Sequence, residues 1–466
     1  MTDEKRLESD SIGTLEIPGD AYYGVQTLRG YRNFYITGIP VNHLFIMNIV
    51  KIKKAAAIVN LAAGLLDKKT ADAIVAACDE ALAGKLDSGF ITDAVQGGAG
   101  TTANMNVNEV IANRATEILG GKKGEYICHP NDHVNCSQST NDVIPTAGKL
   151  TVIGMCAELK KNVQGLIEAL DAKAKEFDGI IKMGRTQLED AVPIRLGQEF
   201  AAYSSCISRC LRLIGKAEAE MHSLNLGGTA IGTAINVKKA YLKNIVPELA
   251  EITGYELNQA ENLIDATQNL DGFVFVSGVL KTLAVSLSKM CNDLRLLSSG
   301  PKTGLEEIIL PAMQNGSSIM PGKVNPVIPE VVTQVAFAVI GNDTTITLAA
   351  EAGQLELNAF EPVVFYKLFE SLTCMKNAVK TLTVNCIEGI QSNRERCEEL
   401  LYESVGTVTA LSPYLGYKKS ADLAKEALKK NKKIKDLVRE QKLLPDEQLE
   451  KILDPFTMTG PDKQEE

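Results

Sequence analysis

The chain has 466 residues, 45% of them hydrophobic and 23% charged, with a formal net charge of −9. That length exceeds one simple core and sets an expectation of two or three domains, while the composition is ordinary for a soluble globular protein. The negative balance speaks against a nucleic-acid surface, which needs a basic patch, but not against a small anionic substrate, because a few local cations dominate a desolvated cleft.

No charged-then-apolar leader opens the chain and no apolar run approaches eighteen residues, so neither secretion nor a membrane partner is expected. Ten cysteines lie scattered with no C-x-x-C pair, several of them (Cys206, Cys210, Cys291) inside helical apolar patterns. A reduced, cytoplasmic setting follows. Four histidines occur, and no His/Cys/carboxylate set has metal-site spacing, so no structural or catalytic metal is expected.

Residues 1–140 read as a mainly helical first domain of shorter elements broken by Gly and Pro, with helices expected over Val50–Ala62 and Lys69–Ala83. Two polar islands end it. Gln96-Gly97-Gly98-Ala99-Gly100-Thr101-Thr102-Ala103-Asn104-Met105-Asn106 is rich in glycine, but no strand precedes it and no Gly-Lys-Ser/Thr follows, which weighs against a nucleotide loop. The second runs from His129-Pro130-Asn131-Asp132-His133 to Ser137-Gln138-Ser139-Thr140-Asn141-Asp142. Ser139, Thr140 and Asn141 suit a helix N-cap. Pro130 works against a regular helix through the two histidines, so these read as satisfied loop residues.

Residues 141–395 read as a central domain of long helices. Val152, Cys156, Leu159, Val163, Leu166, Leu170, Ala174 and Phe177 step by three or four, as do Phe200, Tyr203, Ile207, Cys210, Ile214, Ala217 and Met221, and then Val276, Leu280, Leu283, Leu287, Met290, Leu294 and Leu297. This spacing winds an apolar stripe along one helix face, and runs of six or seven turns exceed the usual globular helix. Further helical pattern covers 331–350 and 363–384. About five such helices predict a bundle whose leftover apolar surface is buried by association. A third island, Met183-Gly184-Arg185-Thr186-Gln187-Leu188-Glu189-Asp190-Ala191-Val192-Pro193, separates two of the long runs and is expected at helix ends. Residues 396–466 read as a small helical domain with a frayed tail from Gly460, and the lysines of 428–435 as a solvated helix face.

The most informative stretch is Gly316-Ser317-Ser318-Ile319-Met320-Pro321-Gly322-Lys323-Val324-Asn325-Pro326. It concentrates two hydroxyls, an ammonium, an amide and two glycines between prolines that exclude a regular helix or inner strand. Such a loop can fold over a small anion. It resembles the signature loop of the aspartase/fumarase superfamily. The three islands resemble regions of the same superfamily in the same order, as do Ile17–Thr27 and the stretch from Gly341-Asn342-Asp343 to Leu357-Asn358. The likeness covers about residues 6–455.

The resemblance implies an all-α, three-domain subunit in a homotetramer with a twenty-helix core, each active site collecting residues from three subunits. Within the superfamily, Asp20-Ala21-Tyr22-Tyr23-Gly24, Gln187, Asn342–Thr347 and Glu351–Gln354 are most similar to the aspartate ammonia-lyases. Fumarases carry a histidine where Gln187 stands, as do some aspartases, so the glutamine argues against a fumarase more firmly than for any one lyase. The implied reaction is reversible deamination of L-aspartate to fumarate and ammonia. The alternatives are a class II fumarate hydratase and a non-catalytic scaffold on the same fold. By resemblance the base is Ser317. Thr101, Ser139, Thr140 and Ser318 are then candidates for the β-carboxylate, Lys323, Asn325 and Thr186 for the α-carboxylate, and Asn141 and Gln187 for the α-amino group. No cofactor is required, and a divalent metal such as Mg²⁺ stays open as an activator.

Overall fold

The computed structural model describes residues 4–460, so the tail beyond Gly460 lies outside the described residues. The chain is mainly helical, as expected. An antiparallel hairpin, β1 (Lys5–Asp10) and β2 (Gly13–Pro18), precedes α1 (Val25–Asn33), α2 (His43–Ala62), α3 (Lys68–Leu82) and α4 (Thr101–Ile118). Then come α5 (Thr140–Glu176), a second antiparallel hairpin of β3 (Ile181–Thr186) and β4 (Glu189–Arg195), and α6 (Leu196–Ala219). Next are α7 (Lys239–Thr253), α8 (Leu263–Gln268), α9 (Asp271–Leu297), α10 (Val327–Glu351) and α11 (Glu361–Asn385). Shorter helices follow: α12 (Arg394–Glu403), α13 (Ser412–Leu415), α14 (Tyr417–Lys430), α15 (Ile434–Glu440) and α16 (Asp446–Ile452).

The helix starts are written in the sequence. Asn42 and Asp67 accept the N–H of Phe45 and Thr70 and so cap α2 and α3. The apolar stripes face inward: Leu159, Val163 and Leu166 of α5, and Leu283 and Leu287 of α9, are fully buried.

By contacts the chain divides into two compact units: Met1–Lys160, Arg212–Thr282 and Ala338–Met375 in unit 1, and Lys161–Leu211, Leu283–Phe337 and Lys376–Glu466 in unit 2. This partition runs through the five long helices α5, α6, α9, α10 and α11, each of which contributes to both. Within unit 1, Ser277 and Lys281 of α9 bond Asp343 of α10, and Phe273 of α9 meets the Phe365 ring of α11 edge-on. Gly148 of α5 lies so near Phe365 that a Cβ there would come within 2.4 Å of its ring. Within unit 2, Tyr203 of α6 donates to Asp293 of α9 and Asn162 of α5 to the Lys376 carbonyl of α11. The helices after Arg394 enclose their own apolar cluster of Leu411, Leu423, Leu437, Val438 and Leu449.

Two expectations need correction. The third island is not a helix end but the β3–β4 hairpin. Lys182 and Arg185, which hide the strand alternation, turn inward to the fully buried Glu307, at 3.2 and 2.9 Å. The lysines of 428–435 do not share one helix face: Asn431 takes a left-handed conformation, φ 48°, between α14 and α15. Among the described residues, α9 and α10 are long and apolar enough to cross a membrane by length and composition alone, a test that core helices of a soluble protein also pass, and half or less of the most apolar stretch of each is buried.

Candidate active site

In unit 1 the second island is the start of α5. Ser139 Oγ accepts the N–H of Asn141, and the Asp142 carboxylate accepts the N–H of Ser139, so the first turn is capped from both sides. Asp142 is fully buried, and its second oxygen accepts the N–H groups of Gly227 and Thr229. Burial pushes its carboxyl up to about 6, opposed by those backbone donors and by the Lys53 charge. Pro145 has no N–H to offer the Asn141 carbonyl four residues back; the Asn225 amide, at 3.0 Å, donates to it instead. The same turn is thereby fixed to the segment after Gly227.

That segment, Gly227-Gly228-Thr229-Ala230-Ile231-Gly232-Thr233, was not among the sequence candidates. Three glycines and two threonines in seven residues were its signal. Gly232 is required: at φ 89° a Cβ would lie 2.4 Å from the backbone of Ile264. The Ala230 carbonyl takes the side-chain N–H of Asn141 at 2.8 Å.

Bond polarity then sorts the predicted residues. Ser139 and Thr140 each spend a lone pair on the protein, Thr140 Oγ1 accepting from Asn104 at 3.3 Å. Their hydroxyl hydrogens are left for a ligand, which suits a carboxylate. Asn141 spends one of its two amide hydrogens, which fixes the amide's orientation and leaves its oxygen unbonded, and an unbonded amide oxygen suits an ammonium. All three are half-buried. The Asn104–Thr140 bond also ties the first turn of α4 to that of α5, and two helix N-termini favour an anion. Thr101 opens α4 and is exposed, with its hydroxyl donating to the Gly98 carbonyl at 2.7 Å. That hydrogen must leave its present bond before it can serve a carboxylate.

In unit 2, Thr186 and Gln187 occupy the tip of the β3–β4 hairpin. Thr186 pairs with Glu189, and the two residues between them, Gln187 and Leu188, have φ of 56° and 68°, the pattern of a type I′ turn made without glycine. Both site candidates are exposed. The hairpin is held by the buried network beneath it: Arg185 bonds both oxygens of Glu307, and Lys182 bonds Glu199 at 2.8 Å.

The signature segment folds back on itself. The Gly316 N–H donates to the Lys323 carbonyl at 2.7 Å, and Asn325 donates one amide hydrogen to the Gly316 carbonyl at 2.8 Å. A Cβ on Gly316 would sit 2.6 Å from the Lys323 carbonyl, so only glycine fits. Met320-Pro321-Gly322-Lys323 forms a turn, closed from the Lys323 N–H to the Met320 carbonyl, with Gly322 at φ 79°. The Ser317 oxygen accepts two backbone N–H groups, from Ile319 at 3.2 Å and Met320 at 2.9 Å. An alkoxide there keeps both bonds and strengthens them. Ser317 and Asn325 are half-buried, while Ser318 and Lys323 are exposed.

The ten candidates therefore form three clusters: Thr101 with Ser139, Thr140 and Asn141; Thr186 with Gln187; and Ser317, Ser318, Lys323 and Asn325. His129 and His133 belong to a single π-helical turn, where the nitrogen Nδ1 of each accepts a backbone N–H, from Asp132 and His129 respectively. No group of three or more His, Cys, Asp or Glu side chains is placed to hold a metal ion among the described residues.

Residues 13–341 match the family model described as Lyase, and residues 408–460 that described as Fumarase C C-terminus. The chain belongs to the aspartase/fumarase superfamily. Among its relatives in that superfamily, the aspartate ammonia-lyase of Helicobacter pylori (strain ATCC 700392 / 26695) is 53% identical over 459 residues, 98% of each chain. That of Escherichia coli (strain K12) is 49% identical over 97% of this chain and 95% of its own. Among superfamily members of known structure, the fumarate lyase:delta crystallin from Brucella melitensis bound to cobalt aligns with a TM-score of 0.95 at 48% identity, covering 98% of this chain and all of the other. The class II fumarase from Schistosoma mansoni aligns equally well, TM-score 0.95, at 36% identity and the same coverage.

Proposed function

We propose that this chain is an aspartate ammonia-lyase, converting L-aspartate reversibly to fumarate and ammonia. The observation that carries the activity is about 50% identity over nearly the whole chain to several aspartate ammonia-lyases. Bond polarity supports the residue roles: donors left at Ser139 and Thr140, an acceptor left at Asn141, and a serine oxygen already held by two amides.

Ser317, as alkoxide, takes the proton from the carbon beside the β-carboxylate. The charge moves into an aci-carboxylate, and Thr101, Ser139, Thr140 and Ser318 meet it as it develops. Lys323, Asn325 and Thr186 hold the α-carboxylate. Asn141 and Gln187 accept from the ammonium, which leaves without needing a general acid. Glutamine at 187 suits this leaving group, since dehydration of malate calls for a proton carrier there. Neither a metal nor an organic cofactor enters the chemical step, and a divalent cation such as Mg²⁺ stands outside it as an activator to be tested.

The working form is a homotetramer. Five long helices per subunit, four times over, make a twenty-helix core, and exposed apolar side chains such as Phe275, Val285, Phe337 and Leu348 on these helices are the surfaces that association buries. The three clusters come from different subunits. All ten cysteines are free and seven are buried, in keeping with a cytoplasmic enzyme. Ultraviolet absorbance tests the activity: fumarate should appear from aspartate and not from malate. Fumarate from malate alone would make this a hydratase, and from neither a scaffold.

A further inference from the structure

Lys53 of α2 is fully buried and makes no ion pair through hydrogen bonds. Its ammonium instead donates to three side-chain amide oxygens: Asn104 at 2.8 Å, Asn135 at 2.8 Å and Gln138 at 2.9 Å. An ammonium has only hydrogens to offer, so the atoms facing it must be oxygens, and all three amides are turned the same way. Their nitrogens consequently point away from Lys53. Gln138 donates to the Val134 and Cys136 carbonyls, Asn135 to the Gln138 carbonyl, and Asn104 to both Thr140 Oγ1 and Asn135 Oδ1, each at 3.3 Å.

We propose that Lys53 is a positioning residue that makes Thr140 a hydrogen-bond donor to the substrate. Lys53 fixes the amide of Asn104 with its oxygen inward; the amide nitrogen then occupies a lone pair of Thr140, and the hydroxyl hydrogen is directed to the ligand. With the amide reversed, Thr140 would donate to Asn104 and offer the substrate carboxylate only lone pairs. Burial pushes the Lys53 ammonium down to about 7, with the Asp142 charge opposing the shift. The cage favours the charged form as well, because a neutral amine would set its lone pair against one of the three oxygens. The inference rests on the assignment of Thr140 to the β-carboxylate.

The isosteric change Asn104→Asp tests it. A carboxylate keeps the Lys53 contact but has no hydrogen for Thr140, whose hydroxyl must then turn inward. In the tetramer, kcat for aspartate should fall by roughly 10²-fold, with KM changed far less, as for loss of one donor to developing charge. Crossed with Thr140→Val, the double variant should be little slower than Thr140→Val alone, since the route through Thr140 has been removed and only the bond from Asn104 to Asn135 Oδ1 is left to lose. If Asn104→Asp leaves kcat within about twofold, or if its cost persists in full beside Thr140→Val, the inference is wrong while the site assignment stands. If Thr140→Val alone keeps normal turnover, the site assignment fails and the inference with it. Lys53→Gln, crossed in the same way and read by the same criteria, replaces Asn104→Asp should that variant not assemble.

Discussion

The start of α5 and the segment 316–326 both present serine or threonine oxygens, yet they prepare them in opposite ways. At the start of α5, Ser139 and Thr140 are half-buried; Ser139 accepts one backbone N–H, from Asn141 two residues on, Thr140 accepts from the side chain of Asn104, 36 residues back, and a buried carboxylate, Asp142, stitches the turn to Gly227 and Thr229. Each hydroxyl gives the protein one lone pair and keeps its hydrogen. In the 316–326 segment the partners of Ser317 are two and three residues away, and both are backbone N–H groups aimed at the oxygen. The first arrangement favours a neutral donor, and the second favours a negatively charged oxygen. Donor and base are the same functional group, and their surroundings decide which role each can take.

If that contrast is correct, substitutions in the two regions should fail differently. The largest effect belongs to Ser317→Ala, which should lower kcat by roughly 10²–10⁴-fold with the assembly size unchanged; steady-state fumarate formation and sizing measure both, and retained turnover would place the base elsewhere. Lys323→Ala removes an exposed cation from the same loop and should lower kcat/KM by roughly 10²-fold through both parameters. Unchanged kinetics would take Lys323 out of the site. In the other region, Asn141→Leu should lower kcat/KM for aspartate by roughly 10- to 100-fold, the scale of a hydrogen bond to a charged group. Inhibition by succinate, which has no amine, should barely change. Equal weakening of both would mean that the pocket had collapsed and that Asn141 has no selective contact with the ammonium.

The smallest effect concerns stability. The Asp142 carboxyl is raised to about 6 from 3.8, so between those values the folded chain binds the proton and the unfolded chain does not. Its contribution is complete below 3.8 and is lost as pH rises through about 6. Asp142→Asn cannot ionise. Thermal midpoints across this interval should therefore fall with rising pH in the parent relative to the variant, by up to about 1.4 kcal/mol per pH unit in free energy. Parallel curves would show that Asp142 is not the group responsible.

Much of the scaffold was legible in the sequence. The three-and-four spacing through Leu159, Val163 and Leu166, or Leu283 and Leu287, reports a helix because burial on one face is what selects those residues. The β3–β4 hairpin was hidden by the same logic working in reverse, since Lys182 is buried against Glu199 and Glu307 and breaks the apolar alternation. The 227–233 segment was missed because it acts through a backbone carbonyl and backbone N–H groups, so its density of glycine and threonine was its only trace in the sequence. The identities of Ser317, Thr140 and Asn141 were readable, but their polarity was not. That polarity depends on partners 36 residues away for Thr140 and 89 for Asn141, and only the folded chain brings those together.

The central claim is that the prepared donors and the prepared base act on one substrate although they are supplied by different subunits. Two impaired homotetramers test it, one carrying Ser317→Ala and the other Thr140→Val, dissociated together and reassembled. Hybrids contain some sites that draw an intact serine from one chain and an intact threonine from another. The account predicts that aspartate deamination rises on mixing well above that of either variant reassembled alone; hybrids that form and stay as slow as the variants would contradict it.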